Sequence, residues 1–288
     1  MRRTIVMLAL LPCCCAPGLQ RSGPGGQPRP VAGVAETAAT LDDGIAVGSL
    51  WLDRYANVYC TDRAKLRLVS LGPAAGRDGE PAEFRFERPL DDPNSFLVPG
   101  YDGGYCLADN IGHQLVFSSY QGRQSAALPL GGRTATAAAM DAAGDIYVLD
   151  GSDRSVQVYD QRGAVLRRFT LAREPQSPGF APVLMAVAPS AQLLAVADPA
   201  ASVVQCYSSF GRYAGSAPLR AAALAFDRSD RLWSVDSSGR ISVQAWRGAR
   251  WQTLWQGQQA LPGAVGGIAA GPGEGVTIAA GNRLIICR

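Results

Sequence analysis

Residues 144–169, GDIYVLDGSDRSVQVYDQRGAVLRRF, contain three strand-like runs separated by two polar turns. The apolar run Ile146–Leu149 ends at Asp150, the alternating run Val156–Tyr159 follows, and the third run comes after Gly163. Alternation of apolar and polar side chains is typical of β-strands, and glycine supplies the positive φ that a hairpin turn needs. This stretch therefore predicts three consecutive antiparallel strands.

The same unit recurs along the chain. Its copies cover residues 53–69, 102–117, 141–160, 190–207, 227–243 and 273–287. A short apolar strand with small residues precedes the copies, such as Thr136–Ala139 before the third. Counting that strand as the first of its unit, the second strand of five units ends in an aspartate, namely Asp62, Asp109, Asp150, Asp198 and Asp236. A second column is the glycine of the next hairpin, at Gly122, Gly163, Gly211 and Gly248.

A period of about 40 residues with four strands per unit is typical of β-propeller blades. Small residues suit the crowded inner wall, and Tyr147, Tyr159 and Trp233 can fill the wedges between blades. The pattern D-x-x-G-x-I-Y-V-x-D, followed by V-Q-V-Y-D-x-x-G-x-x-L-R-R-F, over residues 141–169 resembles an NHL repeat. The resemblance extends from about residue 31 onward. It implies an all-β, six-bladed propeller with four-stranded antiparallel blades.

Closure of the ring is expected to involve an N-terminal strand. The last copy ends after its third strand, so we predict that Val31–Thr37 complete the last blade beside Leu284–Cys287. Closure of this kind removes an exposed sheet edge. The Gly- and Pro-rich insertions at 73–83 and 173–182 are expected to be surface loops.

The first 16 residues resemble a secretory signal, because a basic start precedes a short apolar run. Leu11 lies three residues before Cys14, as in bacterial lipoprotein signals, although Pro12 replaces a small residue; Cys15 is a second candidate for lipidation. Lipoprotein, plain secretion and a retained anchor all stay open. Residues 17–30 are rich in Gly and Pro and predict a flexible tether, which leaves the propeller domain in residues 31–288 of an exported or cell-envelope protein.

The net charge of +3 is too small to indicate nucleic acid as a partner. A membrane is expected to be contacted only through a lipid anchor. We interpret the arginines of the third blade and its neighbours as solvated charge: Arg154, Arg162, Arg167, Arg168 and Arg173.

No catalytic, metal-binding or cofactor-binding residue is assigned. Among propeller enzymes, calcium-dependent lactonase-like proteins use inward Glu, Asn and Asp, and NHL-like lyases use several histidines. The chain has one histidine, His113, in a turn, and its inner strands are apolar or small. The five aspartates of the column are interpreted as turn residues that accept backbone N–H groups, and Asp53, Asp102, Asp141 and Asp227 as caps of other turns.

Four cysteines lie beyond the signal: Cys60, Cys106, Cys206 and Cys287. Cys60 lies two residues before its column aspartate and Cys106 three before, so they occupy opposite faces of their sheets. Because neighbouring blades also present opposite faces to each other, a Cys60–Cys106 disulfide stays open.

One local cluster of residue types indicates a candidate site for a protein partner. Trp and Arg, which are favoured at interfaces, cluster in the outer hairpin of the fifth blade at Trp246, Arg250, Trp251 and Trp255. The sequence favours a monomeric, non-enzymatic exported propeller acting as a protein-binding platform or scaffold. The alternative is a metal-dependent lactonase-like or lyase-like enzyme, and a sensor of envelope ligands is a third hypothesis.

Overall fold

The structure is a computed structural model of the chain. It describes residues 35–40, 45–52, 57–73, 84–90, 96–99, 105–119, 123–171, 180–247, 250–270 and 275–287. The predicted signal and tether, and with them Cys14 and Cys15, lie outside the described residues. So do Gly122, Gly248, Asp53, Asp102 and most of both predicted loops.

The described residues form twenty-four β-strands in six four-stranded sheets. The first strand is β1 (Ala35–Thr40). Blade 1 contains β2 (Val47–Leu52), β3 (Asn57–Asp62), β4 (Arg67–Pro73) and β5 (Phe84–Pro89). Blade 2 contains β6 (Phe96–Pro99), β7 (Tyr105–Asp109), β8 (Gln114–Ser118) and β9 (Gln124–Pro129). Blade 3 contains β10 (Ala137–Met140), β11 (Ile146–Asp150), β12 (Ser155–Tyr159) and β13 (Val165–Thr170).

The second half of the chain continues the pattern. Blade 4 contains β14 (Leu184–Val187), β15 (Leu193–Asp198), β16 (Val203–Ser208) and β17 (Tyr213–Ala217). Blade 5 contains β18 (Ala223–Phe226), β19 (Arg231–Val235), β20 (Arg240–Arg247) and β21 (Arg250–Gln258). Blade 6 contains β22 (Val265–Ala270), β23 (Val276–Ala280) and β24 (Arg283–Cys287), and β1 pairs with β24 as its outer strand.

The predicted six-bladed propeller and its closure by an N-terminal strand are confirmed. Ala35 pairs with Cys287 and Thr40 with Arg283 in antiparallel register. Residues 31–34 of the predicted closing strand lie outside the described part of the chain, and the described strand extends past the predicted Thr37 to Thr40. The inner strands β2, β6, β10, β14, β18 and β22 contact one another in this order around the ring, and β22 contacts β2.

Apolar clusters between neighbouring blades hold the ring together. Among the described residues, each of the six blade pairs shares one buried cluster. Tyr159 packs between blades 2 and 3, Tyr147 between blades 3 and 4, and Trp233 between blades 5 and 6, as predicted. Middle strands are buried on both faces because a blade covers each face, so β11 is almost wholly buried while the outer strand β13 is largely exposed. Among the described residues no helix is long and apolar enough to cross a membrane.

Candidate functional site

A cavity of about 760 Å³ lies at the centre of the ring, and residues from all six inner strands line it. Each inner strand pairs with a neighbour on one side only. Its other edge therefore presents backbone N–H and C=O groups that no strand pairs. A cavity of this size is within the range of small-molecule sites, roughly 300–1,000 Å³.

Small residues on the inner strands let the blades approach the cavity closely. A Cβ on Gly267 would lie 3.0 Å from the backbone nitrogen of Leu50, and one on Gly266 would lie 2.7 Å from Cβ of Val47. A Cβ on Gly266 would also overlap the carbonyl oxygen of Val47, so blade 6 packs there directly against the backbone of blade 1.

The described lining is mostly apolar. Its polar side chains are Ser49, Arg63, Asn110, Thr134 and Thr136, and Arg63 is the charged one among them. The larger apolar side chains include Trp51, Phe96, Met140, Leu184 and Phe226. Among the described lining residues there is no carboxylate, imidazole or thiol.

One face of the ring carries the polar groups of the cavity mouth. We call it the Asp-turn face; it comprises the turns 63–66, 110–113, 151–154, 199–202 and 237–239 and the segments that lead into the inner strands. The turns bind those segments directly: the backbone N–H of Arg63 donates to Ala46 at 2.8 Å, and the Asn110 amide exchanges hydrogen bonds of 3.0 and 2.8 Å with the Ala135 backbone. Arg63 and Asn110 therefore stand at the mouth.

Sequence reasoning missed both residues. Each follows a column aspartate directly, Arg63 after Asp62 and Asn110 after Asp109. A residue directly after a column aspartate could therefore have been predicted to lie at the cavity mouth, because the turn directs this residue back toward the inner strand.

All five column aspartates accept backbone N–H groups. Asp62 accepts the N–H groups of Ala46 and Ala64, Asp109 accepts that of Gly112, and Asp150 accepts that of Ser152. Asp198 accepts the N–H groups of Ala181, Ala200 and Ala201, and Asp236 accepts those of Ser238 and Arg240. Burial opposes ionisation of Asp109, but hydrogen bonds from Gln114 and the Gly112 backbone outweigh it and lower its pKa. The aspartates occupy separate blades, and Asp62 and Asp198 also bind the segment that leads into the inner strand of their own blade.

Two aspartates in turns after inner strands also act as caps. Asp141 accepts N–H groups from Ala143 at 2.9 Å and from Asp145 at 3.0 Å. Asp227 accepts N–H groups from Ser229 at 2.9 Å and from Arg231 at 3.0 Å. Among the described residues, no group of three or more His, Cys, Asp or Glu side chains is placed to hold a metal ion.

His113 lies in the turn of blade 2 and outside the described lining of the cavity. Its Nδ1 is 2.9 Å from the carbonyl oxygen of Arg133, and its backbone is left-handed, with φ of 49°. The contact ties the turn to the segment that enters blade 3.

The four cysteines beyond the signal are free and buried. Cys60 packs between blades 6 and 1, whereas Cys106 packs between blades 2 and 3. The two thiols therefore point apart, which settles the open question of a disulfide between them. Burial raises the pKa of Cys60 to about 12 and that of Cys287 to about 11.

The tryptophans of the fifth blade pack largely against the propeller itself. Trp246 and Trp251 are cross-strand partners whose ring centroids lie 5.2 Å apart, edge to face. Trp251 packs against the core between blades 4 and 5, and Trp255 against the core between blades 5 and 6. Arg250 is exposed at the start of β21. The hairpin thus uses its rings to hold neighbouring blades.

Two arginines of the third blade are not the solvated charges that we expected. Arg154 is only 9% exposed, and its guanidinium carbon lies 5.5 Å from the centre of the Phe180 ring. Arg167 crosses to blade 4, where Nε donates to the Ser209 carbonyl at 3.1 Å. Side-chain reach between blades, which the sequence pattern does not encode, accounts for both differences.

Comparison with known proteins shows the fold. No family model and no curated protein matches the chain. A solved streptogramin B lyase structure superposes with a TM-score of 0.58 at 14% identity, covering 88% of this chain and 97% of that one. Selenomethionine-substituted virginiamycin B lyase from Staphylococcus aureus superposes with a TM-score of 0.57 at 13% identity, and the match covers 86% of this chain and 82% of that one. A catalytically inactive virginiamycin B lyase variant with quinupristin, from the same organism, superposes with a TM-score of 0.57 at 12% identity, and the match covers 88% of each chain.

Proposed function

We propose that this chain is a non-enzymatic propeller of the cell envelope that serves as a binding platform for a protein partner. The lining of the central cavity supports the non-enzymatic part, because its described side chains are apolar or are Ser, Thr, Asn and Arg. Export through the N-terminal segment, with Cys14 or Cys15 as the lipidated residue, belongs to the same proposal.

The observation that carries the protein-binding part is an exposed patch between blades 3 and 4. We call it the blade 3–4 rim patch; it comprises Arg167, Phe210 and Tyr213. Phe210 is 72% exposed and Tyr213 is 38% exposed. Arg167 pairs with Val158, which packs in the core between blades 3 and 4, so Arg167 lies on the face of β13 that meets blade 4. Aromatic residues and arginine are enriched at protein interfaces.

The patch is held in place before any partner binds. The guanidinium carbon of Arg167 lies 5.1 Å from the centre of the Phe210 ring and 5.5 Å from that of the Tyr147 ring. Nη2 of Arg167 also donates to the Tyr147 hydroxyl at 2.8 Å. A contact residue that is already ordered loses less entropy on binding, which favours Phe210 and Arg167 as the energetic centre of an interface.

A metal-dependent lactonase-like or lyase-like enzyme is the alternative. The solved lyases with this fold favour it, since they are enzymes built on the same ring. The cavity chemistry weighs against it, because the single histidine of the chain lies outside the described lining. Incubation with quinupristin is therefore expected to leave that compound unchanged by liquid chromatography, and its consumption would favour the enzyme.

The test of the platform is crosslinking in the native envelope with a C-terminally tagged chain, followed by mass spectrometry. We expect Phe210→Ser to lose a partner that the native chain captures reproducibly. Ile111→Ser is the matched control, because Ile111 is 66% exposed but lies on the Asp-turn face. Arg250→Ala tests the fifth-blade hairpin separately. Equal capture by native chain and Phe210→Ser would refute the rim patch, and loss with Arg250→Ala alone would place the interface on the hairpin.

A further inference from the structure

We propose that the central cavity binds a small amphipathic anion at its Asp-turn mouth. In this site the anionic head group pairs with Arg63 and the apolar body lies against the cavity wall. The site is separate from the blade 3–4 rim patch and does not depend on the proposed protein contact.

The charge of the mouth is the first argument. Arg63 is exposed, and no described carboxylate forms an ion pair with it. Its Nη2 donates to the Gly48 carbonyl at a long 3.4 Å. A guanidinium has five N–H donors in a planar fork that fits a carboxylate or sulfonate through two parallel hydrogen bonds. Most of those donors therefore remain available at the mouth.

The position of the arginine depends on a glycine in the inner strand. A Cβ on Gly48 would lie 2.5 Å from Nε and 2.7 Å from Cγ of Arg63. The side chain of Arg63 thus crosses β2 at a position that has no side chain of its own, beside the Thr61 hydroxyl, which lies 2.8 Å from the same Cβ position. This brings the guanidinium over the inner strand instead of leaving it in solvent beyond the turn.

Three of the other polar side chains of the mouth are already engaged. The Asn110 amide is bonded to both the N–H and the carbonyl of Ala135, the Thr136 hydroxyl accepts the N–H of Gly151 at 2.9 Å, and the Ser49 hydroxyl accepts the N–H of Leu97 at 3.0 Å. Arg63 is the charged side chain among the described lining residues, so it is the group that selects a ligand by charge.

Half-buried apolar side chains surround the same mouth. Phe96, Leu184 and Val265 stand at the first positions of their inner strands, line the cavity and are partly exposed. A hydrocarbon or aryl group that covers them gains free energy by leaving water. One cation beside an apolar wall therefore fits a ligand that has one anionic group on an apolar body.

Two fluorescent probes test this inference directly. The first, 8-anilinonaphthalene-1-sulfonate, has an apolar body with one sulfonate, and N-phenyl-1-naphthylamine is its neutral counterpart. We expect the native chain to bind the sulfonate about tenfold more tightly than the neutral probe. Arg63→Gln should abolish that preference while leaving the affinity for the neutral probe unchanged. Gly48→Ala should weaken sulfonate binding too, because it displaces the guanidinium.

Arg123→Gln is the matched control, since Arg123 is exposed and does not line the cavity. Thermal melting of each variant checks that the fold is retained. Equal affinities of native chain and Arg63→Gln for the sulfonate would overturn the proposal. So would an equal loss in Arg123→Gln, or failure of the native chain to bind the sulfonate.

Discussion

The carboxylate of Asp227 accepts a 2.8 Å hydrogen bond from the indole N–H of Trp233, and both side chains are buried. The same oxygen, Oδ2, forms an ion pair of 2.6 Å with Nε of Arg231, while Oδ1 accepts two backbone N–H groups. Trp233 in turn packs in the core between blades 5 and 6. A single carboxylate thus joins the turn of blade 5 to an interblade core.

Replacing Asp227 by alanine is expected to reduce the free energy of unfolding by about 3–5 kcal/mol, because the change leaves the Arg231 charge buried without its partner. Asp153→Ala is the control. It removes an ion pair to Arg168 in which both side chains are 45% exposed, together with the hydrogen bond that Asp153 accepts from the Ser155 N–H at 2.8 Å, so it should cost about 1–2 kcal/mol. Urea denaturation measures both, and similar losses in the two variants would contradict the role of Asp227.

Removal of the closing strand should destabilise the whole ring. Deleting residues 1–40 removes β1 and exposes the edge of β24. The expected loss is roughly 3 kcal/mol or more, since each backbone hydrogen bond contributes about 1 kcal/mol. Deleting residues 1–30, the predicted signal and tether, should leave thermal melting unchanged. Equal melting of the two truncated chains would show that β1 does not contribute to stability.

Substitution at two left-handed glycines should separate steric overlap from backbone strain. Gly211 has φ of 80°, and a Cβ there would overlap the Phe169 ring; Gly131 has φ of 63° and no atom within 4 Å of such a Cβ. Gly131→Ala should cost about 1–2 kcal/mol from backbone strain alone. Gly211→Ala should cost about 1–3 kcal/mol more, because the core must shift. Chemical denaturation tests the difference, and equal costs would argue that Phe169 moves freely.

The stability of the protein should fall at alkaline pH. Burial raises the pKa of the Cys60 thiol from 9.0 to about 12, and the charge of Asp62 adds to the increase. The folded state therefore keeps a proton that the unfolded chain loses above pH 9.0. Stability is complete below that pH and decreases toward the folded pKa by roughly 1 kcal/mol per pH unit.

Cys60→Ala should remove this contribution to the fall of stability with rising pH. Urea denaturation between pH 7 and pH 10 would show it, because the curve of the variant should be flatter than that of the native chain. Parallel curves would mean that the thiol does not titrate differently in the two states.

Much of the fold was predictable because a propeller is built from local pairings. The aspartate column ending at Asp236 and the glycine of the hairpin at Gly163 mark turns between sequential strands, and sequential strands pair within a blade. The period therefore predicted the blade number and the need for a closing strand. The first and last strands of each blade were harder to place, because β10 is short and β13 is largely exposed and carries little apolar pattern.

The candidate sites were less predictable. The position of Arg63 over Gly48 joins a turn to an inner strand 15 residues away. The hydrogen bond from Arg167 to Ser209, in the turn of Phe210, joins neighbouring blades through residues 42 apart in sequence. Neither has a repeating signal, since among the described residues the first occurs in blade 1 alone and the second between blades 3 and 4 alone.

The sequence by itself determined the all-β class, the blade repeat and the turn chemistry, because each depends on side chains that lie close together along the chain. The tertiary structure alone decided that Cys60 and Cys106 point into different cores, that Phe210 rests on Arg167, and that the cavity has one described cation at its mouth. These features depend on how neighbouring blades are rotated and packed, and that packing brings together residues whose separation in sequence carries no periodic pattern.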